Sequence, residues 1–116
     1  LVDTTFSQQD PEERHFFRPD EIIKSVCSFY NIKETLIKGP KRDFSLVKAR
    51  QIAMYILKTD LKLSFVEIGN ILGGRDHTTI MHGVTKIERL LTDKNFFEEM
   101  AGIKSLLKNG KDLFKN

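Results

Sequence analysis

At 116 residues the chain has room for one domain with its own core and not for two. With 40% hydrophobic and 30% charged residues it is not disordered by composition, no apolar run approaches bilayer length, and a lone cysteine rules out an internal disulfide. The net charge of +3 is uneven: residues 1–21 carry two basic and six acidic side chains, whereas residues 38–62 carry seven basic and two acidic. Residues 1–17 are polar and acidic and read as an incoming linker, with one short helix turn expected at Asp10-Pro11-Glu12-Glu13. From Arg18 onward apolar residues recur at helical spacing with little strict alternation, so an all-α domain is expected over 18–116.

Arg18-Pro19-Asp20-Glu21 opens the first firm helix, with proline at its first position and acids in its first turn. Its inward stripe is Ile22, Ile23, Val26, Cys27, Phe29 and Tyr30. Lys33 to Ile37 adds a short turn, and Gly39-Pro40 breaks the chain into a basic loop. The next helix runs from Ser45 to about Leu61. Leu46, Ala49, Ile52, Ala53, Ile56 and Leu57 face inward, while Arg50, Gln51 and Lys58 fall together on the outside. Ser64-Phe65-Val66-Glu67 spells a capping box and starts a short helix through Ile68, Ile71 and Leu72. Gly73-Gly74 ends it. Asp76 is placed to cap another helix with Ile80, Val84, Ile87 and Leu91 inward. A last helix is expected from about Asn95 to Lys108, with a capping-box spacing at Asn95 and Glu98 and Gly110 beyond its end.

The stretch Gly73-Gly74-Arg75-Asp76-His77-Thr78-Thr79-Ile80-Met81-His82-Gly83 crowds polar chemistry into a few residues. A metal site fits badly: His77 and His82 stand about 140° apart around a helix, and ligand pairs favour i, i+4. A phosphate loop fails because the lysine position holds Arg75, the hydroxyl position holds Asp76, and a helix precedes it where a strand is required. Nucleophilic catalysis fails because adjacent helical residues do not face each other and the chain is short of candidate partners to orient a base. Helix capping explains one or two residues but not five polar groups in a row. Recognition explains the row: a short helix, a glycine turn and a longer helix form a helix-turn-helix, whose second helix starts against base edges in the major groove. Aspartate accepts from the cytosine amino group and a threonine methyl packs on the thymine methyl.

These residues resemble a known family. "GGRDHTTIMHGVTKIE", with "KARQIAMYILK" upstream of "SFVEIGNIL", is similar to the C-terminal DNA-binding domain of the bacterial replication initiator family DnaA, over about Pro19 to Leu107. The resemblance implies a compact helical domain with a Trp-repressor-like helix-turn-helix that binds double-stranded DNA at a box similar to TTATNCACA in the replication origin. It implies Asp76, His77 and Thr78 as major-groove readers and Arg42 as a minor-groove contact. Phosphate contacts would come from Arg50, Gln51, Lys58, Thr79 and Lys86, and from the start of the Ser64 helix with Phe65 and Val66. Arg75 is left open between turn and DNA. Asp43 beside Arg42 departs from the denser basic loop of relatives and is expected to weaken minor-groove attraction.

The resemblance also implies a parent protein with an ATPase domain, so ATP would belong to that parent and this segment would carry no cofactor, no metal and no catalysis. Leu1 at the start fits a piece of a longer chain. Acidic phospholipids or regulators reaching the linker, a monomeric isolated domain, and a reducing, cytoplasmic, nucleoid-associated setting complete the expectations. Gly69 is read as close packing against the recognition helix, and Met54, Met81 and His82 as packing residues. The competing functions are a non-specific DNA binder and a helical protein-interaction module.

Overall fold

The structure, a computed structural model, describes residues 17–115, with side chains as far as residue 108. Six helices follow in order: α1 (Pro19–Tyr30), α2 (Glu34–Lys38), α3 (Phe44–Asp60), α4 (Phe65–Ile71), α5 (His77–Leu90) and α6 (Lys94–Lys115). No strand occurs among the described residues, as the helical spacing predicts. The expected linker, with its helix turn at residues 10–13, lies outside the described residues apart from Phe17, which packs half-buried against the core.

α3 is the centre of the molecule, packing against α1, α2, α4 and α5, while α6 lies along α1. All six residues assigned to its inward face are buried, and Met54 and Arg50 are buried with them. A helix surrounded on so many sides has little outer face left, which is why a simple amphipathic reading undercounts its buried positions. In α1, Ile22, Ile23, Val26 and Cys27 are buried as expected, but Phe29 is 40% exposed. Ser25 takes an interior place instead and donates from its hydroxyl to the Ile103 carbonyl of α6 at 3.1 Å. Tyr30 donates to the Glu99 carboxylate, and Lys48 pairs with the same carboxylate at 3.1 Å, tying α1, α3 and α6 together.

Helix ends are set by local chemistry. The Arg18 amide donates to Glu21 Oε1 at 2.6 Å at the start of α1. The Ser64–Glu67 capping box forms in both directions, Ser64 N to Glu67 Oε1 at 2.8 Å and Glu67 N to Ser64 Oγ at 3.1 Å. Asp76 caps α5 through Thr78 N–H at 2.9 Å. The last helix departs from expectation at both ends. It begins at Lys94, because Asp93 rather than Asn95 accepts from the free amide of Phe96 at 3.0 Å. It also runs through Gly110 to Lys115. Glycine inside a helix costs about 1 kcal/mol, which good helix formers on either side can offset.

Candidate nucleic-acid interface

α4, the turn after it and α5 form the helix-turn-helix. The turn folds back on α4: the amides of Gly74 and Arg75 both donate to the Gly69 carbonyl at 2.9 Å. Gly73 and Gly74 hold φ of +82° and +80°, the left-handed region that favours glycine. Gly69 is required by approach rather than torsion, since a Cβ there would collide with the Arg75 carbonyl oxygen. Its expected packing role is therefore aimed chiefly at the turn backbone, with Ile80 of α5 next.

Beyond the turn, Ile80, Val84 and Ile87 anchor α5 in the core. That rotation leaves Asp76, His77, Thr78 and Thr79 exposed as a continuous row at the helix start. One oxygen of Asp76 accepts from the Thr78 amide, while the other lies 3.8 Å from His77 Nδ1. The bond from the Thr78 backbone holds the Asp76 carboxyl below its ordinary pKa, so it presents a charged acceptor. Met81 and His82, expected to pack, are exposed instead. They follow His77 and Thr78 by four residues, one turn further along the same face. The physical reason is the α5 stripe: with Ile80, Gly83 and Val84 turned inward, positions 81 and 82 must face out. Among the described residues no cluster of three or more His, Cys, Asp or Glu side chains is assembled to hold a metal ion.

A groove runs beside this row, lined by Lys38, Arg42, Gln51, Met54, Arg75 and Thr79 among others. It brings the basic loop and the start of α5 to one surface. Arg42 is exposed on the loop and Gln51 is half-buried on α3. Lys58 stands at the other end of α3, its ammonium 4.6 Å from the centre of the Phe65 ring, so Lys58, Ser64, Phe65 and Val66 also form one patch. Because the capping box engages the amides of Ser64 and Glu67, those of Phe65 and Val66 are the first-turn donors left over. Lys86 is exposed further along α5, beside Phe44 and Leu90.

Arg50 is the chief correction. Placed on the outer face by its spacing from Lys58, and at phosphate by the family resemblance, it is only 4% exposed. Its Nε donates to the Ile37 carbonyl at 2.7 Å, and one terminal nitrogen reaches the carbonyls of Lys41, Leu36 and Gly39 at 3.0–3.3 Å. The end of α2 supplies carbonyls without helical partners, and a buried guanidinium is tolerated where such acceptors surround it. Arg75 resolves the same way: its terminal nitrogens donate to the Leu72 carbonyl at 2.7 Å and the Gly39 carbonyl at 2.5 Å. It braces the turn. Burial lowers the pKa of both guanidinium groups, and for Arg50 the neighbouring Arg75 charge adds to this. Lys48 is likewise engaged internally by Glu99, so the basic segment shows less charge to solvent than its composition implies.

A short helix, a glycine turn, an exposed polar helix start and an adjoining basic loop together define a helix-turn-helix domain. The family model for the bacterial dnaA protein helix-turn-helix matches residues 19–87, and the chain belongs to this family. It is 44% identical over 84 residues to the chromosomal replication initiator protein DnaA of Ureaplasma parvum, covering 72% of this chain and 18% of that protein. Against the DnaA of Ruegeria pomeroyi the identity is 46% over 89 residues, covering 76% and 19%. Against that of Roseiflexus castenholzii it is 39% over 101 residues, covering 86% and 21%. The chain thus spans about a fifth of the length of the curated relatives it matches.

Proposed function

We infer that this domain binds double-stranded DNA sequence-specifically, at a box similar to TTATNCACA, in the initiation of chromosome replication. The observation that carries the reading is the exposed row Asp76-His77-Thr78-Thr79 at the start of a helix whose opposite face is locked in the core. Such a helix start offers base-edge partners from side chains and phosphate partners from its free amides. In this reading Asp76, His77 and Thr78 read bases and Thr79 meets phosphate. Arg42 enters the neighbouring minor groove. Gln51, Lys58, Lys86 and the amides of Phe65 and Val66 hold the backbone. Arg50 and Arg75 serve the scaffold instead. The segment performs no catalysis and takes no cofactor, ATP belonging to the rest of a longer relative. It acts as a monomer in the cytoplasm.

Fluorescence anisotropy with a duplex carrying one TTATCCACA box, against a scrambled duplex over a salt series, tests the reading. The box should be preferred, and affinity should fall as salt rises. His77→Ala should cost about 1–3 kcal/mol on the box and little on the scrambled duplex, whereas Lys58→Ala should weaken both alike and lower the salt slope by about one. Equal affinity for the two duplexes would reduce the domain to a non-specific binder.

A further inference from the structure

The loop that carries Arg42 has an unusual support. Two arginines from different elements converge on its backbone and on the end of α2. Arg50, rising from the core helix α3, holds the carbonyls of Leu36, Ile37, Gly39 and Lys41. Arg75, in the helix-turn-helix turn, reaches the Gly39 carbonyl from the other side and stands 3.4 Å from that of Lys38. The Gly39 carbonyl accepts from both. Gly73 closes the same joint: a Cβ there would strike the Lys38 carbonyl oxygen. Arg75 immediately precedes Asp76, the first base-reading position, and the loop leads within three residues from Gly39 to Arg42. Two surfaces meant for adjacent grooves of one duplex are therefore joined through one guanidinium.

We propose that Arg75 is a positioning residue for DNA recognition: by bridging the Leu72 and Gly39 carbonyls it fixes the Arg42 loop against the start of α5, so that both grooves are met in register. Arg50 holds the other side of the same loop. This rests on the DNA-binding reading above and adds to it a residue that works without touching a base or a phosphate. The loop is the partner that would move when the bridge is lost, since Pro40, Lys41, Arg42 and Asp43 are all exposed while α5 is anchored in the core. The geometry also makes charge insufficient. A lysine offers a single flexible nitrogen in place of arginine's rigid planar fork, so it does not hold both carbonyls in the same fixed geometry.

The test is a binding cycle on the box duplex with Arg42→Ala, Arg75→Lys and the double variant, each checked first by circular dichroism and melting. Arg75→Lys, which keeps the charge, should weaken binding roughly three- to tenfold, the scale of one ordinary hydrogen bond lost. In the Arg42→Ala background the same change should cost less than about twofold, because coupled residues are non-additive. Combined with His77→Ala, its effect should simply multiply. Arg75→Gln, neutral and able to reach one carbonyl, should behave like the lysine and stands in if that variant does not fold. Wild-type affinity in Arg75→Lys would overturn the proposal by showing that charge alone suffices. Multiplying losses with Arg42→Ala would overturn it by showing independent roles. An Arg42→Ala variant that binds like the wild type would also overturn it while leaving the His77 reading standing. Equal binding of both duplexes by the unaltered chain would instead remove the underlying function.

Discussion

In the proposed reading Asp76 has two tasks on one carboxylate. One oxygen caps α5 through the Thr78 amide, and the other lies 3.8 Å from His77 Nδ1 on the exposed face. Capping and recognition are thus compatible readings of the same residue. Asparagine caps about as well as aspartate but presents an amide beside its carbonyl, a pattern suited to adenine rather than to the cytosine amino group. Asp76→Asn should therefore melt close to the wild type yet change which base is preferred at one position, measured by competition with single-substitution duplexes. Cys27 is the opposite kind of residue, buried and without a task at the surface. Burial pushes its thiol up to about 11 from an ordinary value of 9.0. The folded state therefore keeps this proton where the unfolded state releases it. Stability from this group is intact below pH 9 and should decline between pH 9 and 11, by up to about 1.4 kcal/mol per pH unit. Denaturant titrations across that range would check it, and Cys27→Ala or Cys27→Val should flatten the slope.

At the level of elements, glycines at helix contacts separate backbone constraint from side-chain constraint. Gly69 faces a backbone carbonyl, whereas a Cβ at Gly83 in α5 would meet side-chain atoms of α3, Sδ of the buried Met54 and Cγ of Gln51. Alanine gains about 1 kcal/mol of helix propensity at either site, against an overpacking cost of about 1–3 kcal/mol. Gly69→Ala should come out clearly destabilising and should weaken box binding by displacing the turn, while Gly83→Ala, whose obstacles are side-chain atoms, should destabilise less. Urea melts of both variants would decide this. Most element boundaries were legible because their determinants are local: a proline at a first turn, a serine three residues before a glutamate, a glycine pair. The start of α6 was misread because Asp93 and Asn95 are both competent caps, and spacing cannot rank them. Its length was misread because glycine stops a helix only where another conformation is better supported.

Across the whole molecule, the buried face of α3 was legible and its surroundings were not. Apolar periodicity reports which residues avoid water, but not that the end of α2 lies against position 50. For that reason Arg50 reads as an exposed cation from spacing, although it is buried, while its neighbour in spacing, Lys58, is half-buried with its ammonium over the Phe65 ring. The same blindness hid the Tyr30–Glu99–Lys48 tie, which joins residues on three helices, two of them close to seventy positions apart in the chain. The row from Asp76 to Thr79 was readable because its signal is an excess of polar groups where a helix start needs one or two. Met81 and His82 were not, since an apolar or aromatic residue within a helix is as consistent with packing as with exposure.

Holding a loop by its backbone has a consequence for how such a domain diversifies. Arg50 and Arg75 grip carbonyls, which every residue possesses, so the side chains of positions 40–43 can be exchanged without altering the frame that carries them. Asp43 illustrates this: it stands at the start of α3 and makes no capping hydrogen bond with its side chain. Asp43→Lys should cost only the favourable charge–dipole interaction, about 0.3–1 kcal/mol of stability, while raising affinity for box and scrambled duplexes alike and steepening the salt dependence. Shape and adhesiveness are then separately heritable, and binding strength can drift through single surface replacements while the address being read stays the same.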